Sequence, residues 1–119
     1  MTYMALIYGP PMPPNMALPP EAHQAWLDYT QATKDAGVFV DGNQLADPTT
    51  ATTVTVRDGR RVVSDGPFAE TKEVLGGYYL FACANLDEAL EWAAKCPAAQ
   101  MGGKVEVRPV VERPVAVER

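Results

Sequence analysis

Apolar residues along the chain follow two periods, and their order sketches a fold. Residues 3–8 are apolar on both alternating faces, with Tyr3, Ala5 and Ile7 on one and Met4, Leu6 and Tyr8 on the other, the mark of a strand covered on both sides. Six of the eleven prolines then fall within residues 9–20, where missing donors and fixed φ angles predict a loop. A helix is expected from Pro20. Proline at its start and Glu21 in its first turn suit that end, although Pro19 offers no side-chain cap. Ala22, Ala25, Trp26, Tyr29, Ala32, Thr33 and Ala36 recur at helical spacing as its packing face, and Gly37 stops it. A strand opens at Val38 and runs towards Leu45.

Residues 47–49 read as a loop. The β-branched runs 52–57 and 61–64 flank Asp58-Gly59, a pair that tolerates the positive φ of a tight turn, so a hairpin is predicted. Gly76-Gly77 is expected to lead into a second doubly apolar strand, residues 78–84. Asn85 then caps a helix, with Glu88 in capping-box position. Leu86, Ala89, Leu90 and Ala93 are its expected inner stripe, and Pro97 its end. Gly102-Gly103 precedes a last strand, 104–110. Residues 111–119 read as a strand extension, a segment crossing to a partner, or a tail.

Strand-helix-strand thus occurs twice, near residues 3–45 and 77–110. Two such units in one sheet predict an α+β fold, a ferredoxin-like βαβ-βαβ sandwich with the hairpin inserted between its halves and both helices on one face. The chain, residues 1–119, is read as a single domain. The sheet's other face would carry the second apolar set of each central strand. At about 25 cal/mol per Å² of apolar surface, leaving it wet is costly, so a homodimer with sheets packed face to face is expected.

A net charge of −5, with scattered lysines and arginines, argues against a nucleic-acid or anionic-membrane partner. Residues 1–8 lack the basic start and length of a signal peptide, and no stretch approaches the ~20 apolar residues that span a bilayer. The expected location is the cytoplasm, with Cys83 and Cys96 as reduced, buried packing residues. One histidine and two separated cysteines make no zinc pattern, and no phosphate loop or G-x-S-x-G elbow is present, so no cofactor is indicated.

The run from Asp65 to Glu73 (DGPFAETKE) followed by Gly76-Gly77-Tyr78-Tyr79 resembles the signature of the YCII-related family in its DGPF subgroup. Residues 3–8, 86–93 and 105–110 fit the same pattern. The resemblance implies the dimeric α/β-barrel type of ferredoxin-like fold. It also implies kinship with cofactor-free enzymes acting on small aromatic or lactone compounds. Subgroup members are often encoded beside sigma factors of the extracytoplasmic-function type. The resemblance therefore also implies an alternative, a non-enzymatic dimeric module linked to such a sigma factor. The family branch with a proposed catalytic role uses a His and an Asp. The only histidine here, His23, stands about one turn earlier than that pattern, with Asp35 near the end of the same helix.

Two readings of the 65–73 run follow. In the structural one, Asp65, Gly66 and Pro67 end the hairpin and place Phe68 in the core. In the functional one, Asp65, Glu70, Lys72 and Glu73 line a cleft where Lys72 holds a carboxylate or enolate and an acid works as general acid or base. His23, at a helix N-terminus that disfavours its protonated form, joins Asp65, Glu70 and Lys72 as the candidate catalytic set. The function so predicted is lyase- or isomerase-like handling of a small acidic or aromatic metabolite. Glu106 and Arg108, on one face of the last strand, are read as surface or interface ions, with Arg108 alternatively holding an acidic ligand.

Overall fold

The computed structural model describes residues 1–11, 18–68 and 72–112. In chain order these form β1 (Thr2–Gly9), α1 (Pro20–Asp35), β2 (Phe39–Gln44), a 3-10 turn at Pro48–Thr50, β3 (Thr52–Arg57), β4 (Arg60–Asp65), β5 (Val74–Ala82), α2 (Leu86–Lys95), α3 (Pro97–Gln100) and β6 (Lys104–Pro109). Four strands make one sheet in the order β2-β5-β1-β6, every neighbouring pair antiparallel. β1 and β2 therefore run the same way with β5 between them, and β5 and β6 with β1 between them. This interlocking of two split β-α-β units is the ferredoxin-like arrangement.

Alternation along β1 sorts its side chains. Tyr3, Ala5 and Ile7 are buried in the core with Phe81 and Val38, while Met4, Leu6 and Tyr8 stand half-buried on the opposite face. The helices cover only the first of these faces. α1 starts without a side-chain cap and packs through Tyr29 and Thr33, with Trp26 half-buried beside them. Ala25, Ala32 and Ala36 are exposed, so the face is narrower than the spacing of apolar residues suggests. The ring residues make the contact, and the alanines flanking them do not reach the sheet. Fully buried Thr33 satisfies its hydroxyl locally, Oγ1 donating to the Thr30 carbonyl at 2.6 Å.

α2 is capped as its sequence implies. Asn85 Oδ1 accepts from the Glu88 N–H at 2.9 Å, and Glu88 Oε1 reaches back to the Ala84 N–H at 2.7 Å. Its buried stripe is Ala89 and Ala93, whereas Leu86 and Leu90 are each 46% exposed, which corrects the expected stripe. The two alanines let the helix backbone sit close to the sheet, and Trp92 fills the flank towards Tyr29. Pro97 does not simply end this helix but opens the short α3. Cys83 and Cys96 are buried, unbridged thiols. No described helix is long and apolar enough to cross a membrane.

β5 begins at Val74 and runs through Gly76 and Gly77, so the two glycines lie inside the strand instead of before it. A Cβ at Gly77 would lie 2.8 Å from the Asn43 carbonyl oxygen, a contact only glycine permits. The register skips between Ile7 and Tyr8, leaving Gly76 as the extra residue of a bulge. Past β6, the Val110 N–H still donates to the Thr2 carbonyl at 2.8 Å. Most of the readings offered for residues 111–119 fall on 113–119, outside the described residues.

β3 and β4 pair with each other as a separate two-stranded sheet. Positive φ at both Asp58 (52°) and Gly59 (77°) makes their turn the type I′ form that matches strand twist. Val54, Val56, Val62 and Val63 are exposed, on both faces of the ladder. At its base the Gly66 N–H donates to the Ala51 carbonyl at 2.7 Å, and Thr53 Oγ1 donates to the Gly66 carbonyl at 2.7 Å, with Gly66 at φ +95°. Phe68 is 90% exposed, so the run does not deliver it to the core.

Candidate functional site

Lys72, Glu73, Lys104 and Glu106 come together at one end of the sheet. β1 ends there at Tyr8 and Gly9, and β5 and β6 start there with Val74 and Lys104. Tyr8 pairs with Lys104 across the β1–β6 ladder, and Glu106 pairs with Leu6 one step further in. Lys72 and Glu73 arrive from the hairpin side, immediately before β5. Together Tyr8, Lys72, Glu73, Lys104 and Glu106 line an open cavity of about 420 Å³, within the range that holds small molecules.

The backbone is closely packed at this end. Gly103, the residue before β6, lies where a Cβ would come 2.5 Å from the Tyr8 carbonyl oxygen and 3.0 Å from that of Ala98. Its own N–H donates to the Ala98 carbonyl at 2.8 Å, tying α3 to the start of β6. Lys104 Nζ meets Glu73 Oε1 at 2.8 Å, and Arg108 Nε meets Glu106 Oε2 at 3.3 Å. These pairs are solvated, so each contributes about 0–1 kcal/mol and chiefly orients its side chains. Two ammonium groups, two carboxylates and a phenol thus face one opening. Such a set can bind an anion through its cations and accept a proton on a carboxylate.

Among the described residues of the predicted set, only Lys72 lines this cavity. Asp65 is exposed at the end of β4, opposite Thr52 in the hairpin ladder. His23 is exposed on the first turn of α1, where its N–H donates to the Pro19 carbonyl at 3.0 Å. Glu70 lies outside the described residues. No local pattern singles out Lys104, the sequence places Tyr8 on the second apolar face of its strand, and it presents Glu106 as a surface or interface ion. Their shared position depends on the β1–β6 register. Among the described residues no cluster of His, Cys, Asp and Glu is arranged to hold a metal ion.

A second cavity, about 480 Å³, opens between the helices and is lined by Ala25, Asp28, Tyr29, Lys95, Pro97, Gln100 and Met101. The Tyr29 hydroxyl behind it is committed, donating to the Trp92 carbonyl at 2.7 Å. Burial, then the neighbouring Cys96, Tyr79 and Cys83, push its phenol far above the ordinary value. Burial likewise raises Tyr79, offset in part by the hydrogen bond it shares with Thr30, and it raises both thiols. These groups keep their protons at neutral pH and serve as core, with stacked and edge-on rings joining α1 to β5.

Strand order and helix placement define a ferredoxin-like α+β protein. Within that class the chain belongs to the YCII-related domain family, which it matches over residues 1–113. It is 46% identical over 77 residues to an uncharacterized protein, R00369, of Rhizobium meliloti (strain 1021). That match takes in 64% of this chain and 62% of the relative's length. A similar solved structure is 5-chloro-2-hydroxyhydroquinone dehydrochlorinase (TftG) from Burkholderia phenoliruptrix AC1100, in complex with 2,5-dihydroxybenzoquinone. The TM-score is 0.54 over 95% of this chain and 96% of that one, at 14% identity, a likeness of fold.

Proposed function

We propose that this protein binds and transforms a small acidic or aromatic metabolite at the sheet end lined by Tyr8, Lys72, Glu73, Lys104 and Glu106. The observation that carries the reading is the meeting of two lysines with two carboxylates around one cavity of ligand size. In this reading Lys72 and Lys104 hold the anionic group of the ligand and stabilise negative charge that develops on it. Glu73 or Glu106 takes the proton, which gives lyase- or isomerase-like chemistry. Asp65 acts as a positioning residue at the base of the arm that delivers Lys72. His23 is a candidate proton carrier, since α1 follows β1 and starts from the same end of the sheet. The fold likeness to a dehydrochlorinase solved with 2,5-dihydroxybenzoquinone supports a small-molecule role, and the 65–73 run supports a place in the DGPF subgroup. The working unit in this reading is a homodimer, supported by the apolar sheet face that the helices leave uncovered.

Titrating 2,5-dihydroxybenzoquinone and benzoate into the protein by calorimetry tests the reading. Wild type should bind at least one of them. Lys72→Ala and Lys104→Ala should each weaken that binding about tenfold, equivalent to about 1.4 kcal/mol, with unchanged melting temperature. Asp65→Asn should weaken it less. Absence of binding, or binding indifferent to both lysines, would refute the site. If Lys72→Ala and Asp65→Asn lose only thermal stability, the 65–73 run is structural.

A further inference from the structure

The open cavity between the helices, about 480 Å³, shares no residue with the one at the sheet end. Three helices build its walls. Ala25, Asp28 and Tyr29 stand three and four positions apart, so α1 presents them on one face. Lys95 closes the last turn of α2, and Pro97, Gln100 and Met101 come from α3 and its end. Most of the wall is carbon, from Ala25, Pro97, Met101 and a Tyr29 ring whose hydroxyl is taken by the Trp92 carbonyl.

Much of the polar capacity around this cavity is committed within the protein. The last carbonyls of a helix have no partner inside it. In α2 that of Trp92 accepts from the Tyr29 hydroxyl, that of Ala93 from the Cys96 N–H at 3.1 Å, and that of Ala94 from Gln100 Nε2 at 2.6 Å. Asp28 Oδ1 accepts from Gln24 Nε2, one turn back on α1, at 2.8 Å. Lys95 Nζ lies 4.7 Å from the centroid of the Trp92 ring, a contact that steadies the ammonium without neutralising it. Among the described residues, Asp28 and Lys95 form no ion pair with each other or with any other side chain. Three groups are left for a ligand: Asp28 Oδ2, the side-chain oxygen of Gln100, and the three donors of Lys95.

We propose that this cavity binds an α-amino acid with an apolar side chain, its carboxylate on Lys95, its ammonium on Asp28 and Gln100, and its side chain against Met101 and Pro97. A simple anion would meet Lys95 but bring like charge towards Asp28, and a simple amine would do the reverse. A zwitterion answers both. Its ammonium needs acceptors, and Asp28 Oδ2 and the Gln100 oxygen can only accept. Its carboxylate needs donors, and those of Lys95 are bound to no acceptor among the described residues. The volume holds an amino acid of leucine size together with water. Charges in so open a site stay solvated, so a dissociation constant in the millimolar range is expected.

Calorimetric titration of the full chain at pH 7 tests the proposal. The probes are L-leucine, 4-methylpentanoate, which lacks its amino group, and 3-methylbutylamine, which lacks its carboxylate. L-Leucine should bind in the millimolar range and each analogue about tenfold or more weakly. Lys95→Ala should bring L-leucine down to the level of the amine, and Asp28→Asn down to that of the acid. Ala25→Leu, at an exposed position of α1, should fill the cavity and abolish binding with the melting temperature unchanged. No saturable heat with L-leucine up to about 50 mM, or an analogue bound as tightly as L-leucine, overturns the proposal. That comparison uses wild type alone and so does not depend on how the variants fold. Binding that survives Lys95→Ala but is lost in Lys72→Ala would place the amino acid at the sheet end and overturn it equally.

Discussion

Replacing Tyr29 by Phe separates two contributions of one buried phenol. At pH 8 the substitution removes the 2.7 Å hydrogen bond to the Trp92 carbonyl and leaves that acceptor facing a ring edge. A loss of about 1–3 kcal/mol is expected. The second contribution has the opposite sign of effect at high pH. Burial raises the phenol's pKa in the folded chain above the ~10 of the unfolded chain. The protonated phenol is therefore stable in both states below pH 10. Above it the unfolded chain gives up a proton that the native chain keeps. Stability then falls with pH, by at most about 1.4 kcal/mol per unit for this one group. Phenylalanine has no such proton. Between pH 8 and 11 the wild type should thus lose up to about 1.4 kcal/mol that the variant does not, and the gap between them should narrow by that amount. Tyr79, Cys83 and Cys96, also raised by burial, lose stability alike in both proteins and cancel in the difference. Urea unfolding followed by the fluorescence of Trp26 and Trp92 at the two pH values gives all four numbers. Equal gaps at pH 8 and 11 would refute the buried phenol, and no gap at pH 8 would refute the stabilising role of its hydrogen bond.

Gly103→Ala should destabilise the protein by about 1–3 kcal/mol in thermal unfolding, since its Cβ meets two backbone carbonyls that cannot swing aside. Because one of them is that of Tyr8, ligand binding at Lys104 should weaken as well. Asn85→Ala should cost about 0.5–2 kcal/mol by denaturant titration through loss of the α2 cap. Phe68→Ser should change stability by less than about 0.5 kcal/mol, as suits a ring that is 90% exposed. A larger loss would show that Phe68 is packed.

Elements with a local cause were legible in the sequence. The doubly apolar pattern of β1, the Asn85 cap and the Asp58-Gly59 turn each depend on residues within a few positions of one another, and each is present. Features set by distant partners were not. Gly76-Gly77 looks like a lead-in until Asn43, on another strand, presses its carbonyl against Gly77. Leu86 and Leu90 outrank alanine in hydrophobicity, yet close approach of α2 to the sheet selects Ala89 and Ala93 for the interior. The candidate site divides the same way. Lys72 stood out because its own run is dense in charge. Lys104 joins it only through the register of β6 on β1, which no local pattern encodes.

The β3–β4 arm gives the molecule two scales of cooperativity. Its ladder is shared with no strand of the main sheet, and a lone two-stranded hairpin is marginal in water. Its amides can therefore open and exchange without disturbing β1 and β5, whose protection follows unfolding of the whole domain. Lys72 follows the arm in the chain and stands just before β5.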